Sequence, residues 1–348
     1  MDTELSTAPV FAGLGREDYE RVQRELTGYC YRMLGSLFDA EDAVQETMIR
    51  AWRGIERFEG RSAVRTWLHR IATNVCIDML RGRSRRAVPM DLGPAISARS
   101  GDIGAQLPEH EWVLPAPDGR ILADTMDPAQ LAADRESVRL AFIAALQRLP
   151  ARQRAVLILR EVLSFSAAET AELLDTTVAS TNSALQRARA AMAVIPGQEA
   201  RYREDGQNGQ DSQDGDPIGM RNVDPDDPEQ KELLEGYVDA FERYDMERLT
   251  ALLREDALQS MPPWPIWLYG ADEIVAWMLG NGIECRGSRL LPFRANGSPA
   301  FAQYRPDGKG GYTPWALQVL ETDGERITEI HAFVFPELFE AYGFPPAL

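Results

Sequence analysis

Between Arg16 and Val88, apolar residues recur every three or four positions: Val44, Met48 and Trp52 with Ala51, then Leu68, Ile71, Val75 and Met79. That spacing predicts amphipathic helices over 16–88. The first carries an acidic face of Asp39, Glu41, Asp42 and Glu46. A glycine-containing break at Phe58–Ser62 separates it from a helix bearing Trp67, Arg70, Asn74, Asp78 and Arg81, which ends in a basic cluster. Over 89–134 the period disappears. Pro, Gly and Asp dominate, which predicts a linker, with EWVLPAPDGRIL as a segment suited to docking. The helical period returns over 135–195. The run GQNGQDSQDGDP within 196–229 predicts a second, flexible linker. From 230 to 348 an opening helix gives way to strand-like runs. Trp315–Leu320, a turn at Asp323–Gly324 and the alternating Ile327–Phe335 predict a hairpin. The fold expected is therefore multi-domain: two all-α domains followed by one α+β domain.

The second helical block contains a helix-turn-helix pattern. Ser166-Ala-Ala-Glu169 is a capping box, in which serine and glutamate satisfy each other's backbone N–H groups. A short helix ends near Leu174, Asp175–Thr177 turn, and a second helix runs from Val178 to Met192. Leu185 and Ala188 are expected to point inward, with Val178 packed near the turn. Ser180, Asn182, Ser183, Gln186 and Arg187 occupy the other faces. Short polar side chains there can reach base edges in a major groove, and arginine can reach guanine or phosphate. An ordinary helical hairpin with a polar surface fits the same pattern.

In the first block, Trp52, Phe58 and Trp67 read singly as core aromatics. Together, beside a glycine break and a basic helix, they resemble a platform for unstacked bases. Asn74 and Asp78 are four apart and share a face. Asparagine can pair bidentately with adenine or with the edge of a flipped base.

Charge changes the picture through its distribution. The chain has 348 residues and a net charge of −17, which at first argues against nucleic acid. Residues 200–348 hold 27 acidic and 13 basic residues, so most of the excess lies there, and both helical blocks are mildly basic. The acidic excess of the C-terminal domain also predicts attraction between it and the mildly basic helical blocks at low salt. Three scattered cysteines argue against a disulfide framework or zinc cluster and fit a reducing cytoplasm. The lack of an eighteen-residue apolar run predicts no membrane span. No glycine-rich lysine loop for phosphates is present, so no nucleotide-hydrolysing site, cofactor or metal is expected.

DAEDAVQETMIRAW followed by FEGRSAVRTWLHRIATNVCIDMLR resembles region two of bacterial sigma factors of the extracytoplasmic-function group, and ALQRLPARQRAVLILREVLSFSAAETAELLDTTVASTNSALQRARAAM resembles their region four. The resemblance implies an alternative sigma factor that binds core RNA polymerase and promoter DNA. Asp39, Asp42, Gln45, Glu46 and Arg50 would dock on the clamp helices of the largest subunit, and region four near the flap. Phe58, Arg61 and Ser62, with Trp67, Asn74, Asp78 and Arg81, would capture a flipped base of the proximal promoter element. Region four would place Ser180, Ser183 and Arg187 in the major groove of the distal element, and the 89–134 linker would thread across the polymerase. LLEGYVDAFERYDMERLTALLREDALQSMPPWPIWLYGADEIVAWM, within residues 230–348, resembles the opening of a SnoaL-like domain, a cone in which helices lie against a curved sheet around a cavity. Trp264, Trp267, Tyr269, Trp315 and His331 are the candidate cavity residues, with a small molecule or an intramolecular contact with the sigma regions as what the domain would read.

Two rivals remain at this stage: a DNA-binding regulator with a small-molecule-sensing domain, and a SnoaL-like enzyme with a helical appendage using His331 or Asp245. The expectation favours no catalysis, because a single histidine on an alternating strand is usually a satisfied core residue.

Overall fold

A computed structural model describes residues 16–55, 63–100, 103–122, 127–194 and 228–348. The described residues fall into two compact units. One joins the chain up to Arg86 with the stretch from Asp118 to Val194; the other joins Ala87–Pro117 with the chain from Pro228 onward.

In the first unit, α1 (Arg16–Leu34) and α2 (Leu37–Gly54) form a tight pair. Gly35 turns the chain between them at φ 73°, and a Cβ there would press on Gln147 and Arg86. Ser36 caps α2 by accepting from the Asp39 N–H at 3.4 Å. The buried face of α2 is Ala40, Ala43, Val44, Thr47, Met48 and Ala51. Trp52 lies one position past that stripe and is 51% exposed, so it is not the core aromatic that periodicity suggested. Helix α3 (Val64–Leu80) buries Leu68, Ala72, Val75 and Cys76 at i, i+4, i+7 and i+8, the spacing of one helical face.

After α4 (Asp118–Ile121) and α5 (Pro128–Glu136) come α6 (Leu140–Gln147) and α7 (Ala151–Leu157), then a wide turn to Val162. Helices α8 (Ala167–Leu173) and α9 (Val178–Ala193) follow. The capping box is formed, with Glu169 N–H donating to Ser166 at 3.1 Å and Ser166 N–H to Glu169 at 2.8 Å. These bonds hold the Glu169 carboxyl below the usual range. Asp175 makes the turn in the left-handed region at φ 49°. Leu185 and Ala188 are buried, but Val178 is 44% exposed: it begins the helix on the outward side rather than packing at the turn.

The two helical blocks pack on each other within this unit. The buried Arg154 guanidinium donates to Met33 C=O, to Gln147 Oε1 at 2.6 Å and to Leu149 C=O at 3.2 Å. Arg32 donates to Ser137 Oγ at 2.7 Å. Burial lowers both guanidinium groups to about 10. Arg65 bonds Glu25 at 2.5 Å and lies 4.5 Å over the Phe165 ring. His69 sits between Tyr29 and Phe165, at ring separations of 5.3 and 5.2 Å.

The second unit is α+β. Helices α10 (Pro228–Arg243), α11 (Met246–Leu252) and α12 (Ala271–Leu279) accompany one six-stranded sheet. The strands are β1 (Leu253–Ser260), β2 (Trp267–Tyr269), β3 (Arg289–Ala295), β4 (Ser298–Pro306), β5 (Tyr312–Thr322) and β6 (Ile327–Phe333), in the order β2-β1-β6-β5-β4-β3. Among the strands of this sheet, β1 and β6 pair in parallel, Ser260 opposite His331. The expected hairpin is β5–β6, with Val319 opposite His331. A last helix, α13 (Glu337–Ala341), packs Phe339 on Tyr304 from the opposite face of the sheet. Helices lying against one mixed sheet are the α+β arrangement expected for this segment.

The 89–134 stretch does not behave as one linker. Its first part is built into the α+β unit: Trp112, Val113, Leu114 and Ala116 are buried, Ala116 exchanges backbone and side-chain hydrogen bonds with Asn296, and Tyr342 donates to Pro115 C=O. From Asp118 onward it packs with the helical unit, where a Cβ on Gly28 would meet Ile121 C=O at 2.3 Å. Pro and Gly marked it as irregular; among the described residues its first part has only short 3-10 turns, while Pro128–Glu136 is helical, and irregular backbone still docks when its apolar side chains find a surface.

Candidate nucleic-acid interface and C-terminal cavity

Helix α2 turns Asp42, Gln45 and Arg50 to solvent and leaves Glu46 half-exposed. Glu46 and Arg50 pair at 2.7 Å. Asp39 stands apart from this stripe. It is largely covered and pairs with Arg86 at 2.7 Å and Arg83 at 3.1 Å, pinning the first turn of α2 to the segment after α3. Arg50 also reaches Asp78 of α3 at 3.7 Å, and Asp78 pairs with Arg81 at 3.0 Å. Asn74 is exposed one turn before Asp78, and Trp67 is half-buried near Gly54. The α2 and α3 candidates thus form one continuous surface. Phe58, Arg61 and Ser62 lie outside the described residues.

On α9, Ser180, Asn182, Ser183, Gln186 and Arg187 are all exposed, while Thr181, Leu185, Ala188 and Met192 face inward. Thr177 caps the helix by accepting from Ser180 N–H at 3.1 Å. The outward face of α9 therefore presents short polar side chains and Arg187.

In the α+β unit, a cavity of about 270 Å³ lies between the sheet and its helices. Strand alternation selects its floor: Gln259 and Met261, Gln303 and Arg305, Ala316 and Gln318, Ile330 and Ala332. Of the expected cavity residues, Trp264 and Trp315 line it. His331 does not. It lies on the other face of β6, bonded to Ser260 at 2.8 Å and Glu329 at 2.8 Å. Trp267 instead donates to Gly93 C=O at 2.9 Å, and Tyr269 is 56% exposed on the edge strand. Asp245 is spent capping α11, and Asp256 pairs outward with Arg254.

What sequence reasoning missed is the polar floor. Tyr237 donates to Gln318 at 2.7 Å, Gln318 to Gln303 at 2.8 Å, and Gln303 to Ser288 at 3.0 Å. Burial pushes the Tyr237 hydroxyl far above its ordinary value and raises the Cys285 thiol, so both stay neutral. The available signal was a glutamine inside each of the largely apolar runs of β4 and β5, Gln303 and Gln318. The turn Asp307–Gly311 is self-contained: the Asp307 carboxylate accepts from Lys309 N–H at 2.7 Å and Gly311 N–H at 3.0 Å.

The described residues thus comprise a helical unit with a helix-turn-helix and an α+β unit with a cavity. Residues 18–86 match Sigma-70 region 2, and residues 139–192 match Sigma-70, region 4. The chain is 41% identical over 331 residues to the ECF RNA polymerase sigma factor SigG of Mycobacterium tuberculosis, covering 94% of this chain and 83% of that protein. It is 32% identical over 169 residues to the ECF RNA polymerase sigma-E factor of Haemophilus influenzae, covering 49% of this chain and 80% of that one. The crystal structure of the extracytoplasmic function sigma factor SigJ of Mycobacterium tuberculosis shares the fold, with a TM-score of 0.56 and 19% identity over 94% of this chain and 99% of that one. The chain belongs to the extracytoplasmic-function sigma factors of RNA polymerase. It acts as an alternative sigma factor, binding core polymerase and promoter DNA. Among the described residues, no helix is long and apolar enough to cross a membrane.

Proposed function

We propose that the α2 stripe of Asp42, Gln45, Glu46 and Arg50 docks on the clamp helices of the polymerase, and that Asn74, Asp78 and Arg81 of α3 hold a base extruded from the proximal promoter element. The observation that carries this reading is the shared α2–α3 surface, where Arg50 touches both groups. Extruding a base costs a few kcal/mol. Polymerase binding and capture of the base offset that cost, so no hydrolysable nucleotide is required. Ser180, Ser183 and Arg187, with Asn182 and Gln186, read the distal element in its major groove, and region four lies near the flap. Asp39 serves the fold more than the interface, since Arg83 and Arg86 already neutralise it. The α+β domain modulates this activity.

The division of labour is tested by two variants. Asn74→Ala should impair promoter opening, read by permanganate reactivity of unpaired thymines, while leaving core polymerase affinity nearly intact. Asp42→Arg should weaken core binding. Equal loss of both properties in both variants would contradict the assignment.

A further inference from the structure

The polar lining of the cavity includes the amide of Gln259. Gln259 is 6% exposed and lines the cavity, yet its amide finds no hydrogen-bond partner among the described residues. Its neighbours Gln303 and Gln318 are satisfied by each other, by Tyr237 and by Ser288. An amide that faces an apolar cavity and has no such partner can bond a ligand there in place of water. The lining charges are Arg305 and Glu284, paired at 3.0 Å, and Arg305 also lies 3.6 Å over the Trp315 ring. Their charges cancel, and an ionised ligand would enter an apolar space without a counterion.

The wall of this cavity includes a residue from far upstream. Ile103 belongs to the stretch joining regions two and four in the chain, and it lines the cavity beside Trp264 and Asn281. That stretch is held to the α+β domain by named bonds. Ile96 N–H donates to Trp267 C=O at 2.9 Å, and Leu107 N–H to Pro263 C=O at 2.9 Å. Glu273 accepts from Ala98 N–H at 2.5 Å and from Ser97 Oγ at 3.2 Å. Asn281, itself a cavity residue, donates to Ser100 C=O at 3.4 Å.

We propose that this cavity binds an uncharged, largely apolar molecule with one group complementary to the Gln259 amide, and that the inter-region tether, as part of the wall, reads its occupancy. A ligand that touches Ile103 binds the docked tether better than the released one. By linkage it holds the tether docked. The cavity and its tether coupling stand on geometry alone; only the consequence for transcription rests on the proposed modulation by this domain.

The test uses the full chain and N-phenyl-naphthylamine, an uncharged fluorescent probe whose N–H can donate to Gln259 Oε1. Saturable binding is expected, weakened at least about tenfold by Ala316→Phe, which fills the cavity. Gln259→Leu keeps the side-chain volume. It should weaken the N–H probe several-fold and leave phenanthrene, which lacks a donor, unaffected; this arm decides if Ala316→Phe does not fold. Saturating probe should slow tryptic cleavage after the exposed Arg99 several-fold in the wild type and not in Ala316→Phe. No saturable binding, binding that survives the cavity-filling variant, equal response of both probes to Gln259→Leu, or unchanged or faster cleavage after Arg99 would overturn the proposal. Transcription by the same preparation with core polymerase is scored separately, so loss of the cavity proposal is distinguishable from loss of the proposed modulation.

Discussion

His69 shows how one side chain conditions the joint between regions two and four. It is buried against Tyr29 and Phe165, its Nδ1 lies 2.9 Å from Arg65 C=O, and its Nε2 has no hydrogen bond. Burial is the largest influence and holds the imidazole below its ordinary value; Glu25, 3.6 Å away, opposes this. The unfolded chain binds its proton near pH ~6.5, and the folded chain only at lower pH. The sign follows: stability is retained above ~6.5 and lost as pH falls from there toward the depressed value, because only the unfolded state gains the proton in that window. His69→Gln should flatten this part of the stability–pH curve, measured by urea denaturation at several pH values. An unchanged slope would show that His69 is not the group responsible. The histidine was visible in the sequence, but its environment was not, since Phe165 lies 96 positions away in the chain.

At the scale of elements, Gly28 makes a prediction whose sign is decided by competition. Alanine is the better helix former by about 1 kcal/mol, which would favour Gly28→Ala in α1. Against this, the new Cβ would meet Ile121 C=O at 2.3 Å, a backbone atom that cannot swing aside. Overpacking of this kind costs about 2 kcal/mol, so the substitution should lower the urea midpoint. A raised midpoint would mean that α4 moves away freely. Legibility also divides by element. The helices of 16–88 and 140–193, the capping box, the turn at Asp175 and the β5–β6 hairpin follow from near neighbours in the chain, and local pattern predicted them, whereas Asp118–Ile121 and Pro128–Glu136 are helical within the expected linker. The parallel β1–β6 pair joins residues about seventy apart, such as Ser260 and His331, and no local pattern encodes it. His331 was misplaced for a related reason. β6 is buried on nearly its whole length, so alternation separates its two faces without saying which one meets the cavity. The docking of Trp112–Ala116 was partly foreseen in EWVLPAPDGRIL, but the surface that receives it, around Asn296, is remote in the chain.

For the molecule as a whole, the stretch between regions two and four serves two units. Ala87–Pro117 is part of the α+β domain, and the chain from Asp118 belongs with the helices. Truncation after Ile195 therefore does more than remove a domain. It leaves Ile96, Ala98 and Trp112 without the surface that buries them. Run-off transcription with truncated protein should differ in yield from that with the full chain at equal core saturation; identical yield would remove the α+β domain from any role in setting output. The central claim is more basic: these helical blocks function when mounted on polymerase. It is tested most directly by measuring, with purified components, promoter-specific run-off transcription by core polymerase plus this protein, alongside binding of the free protein to the same duplex. Specific initiation that depends on both components, with poor duplex binding by the free protein, is the expected result. Tight recognition of closed duplex by the free chain, with no association with core polymerase, would contradict it.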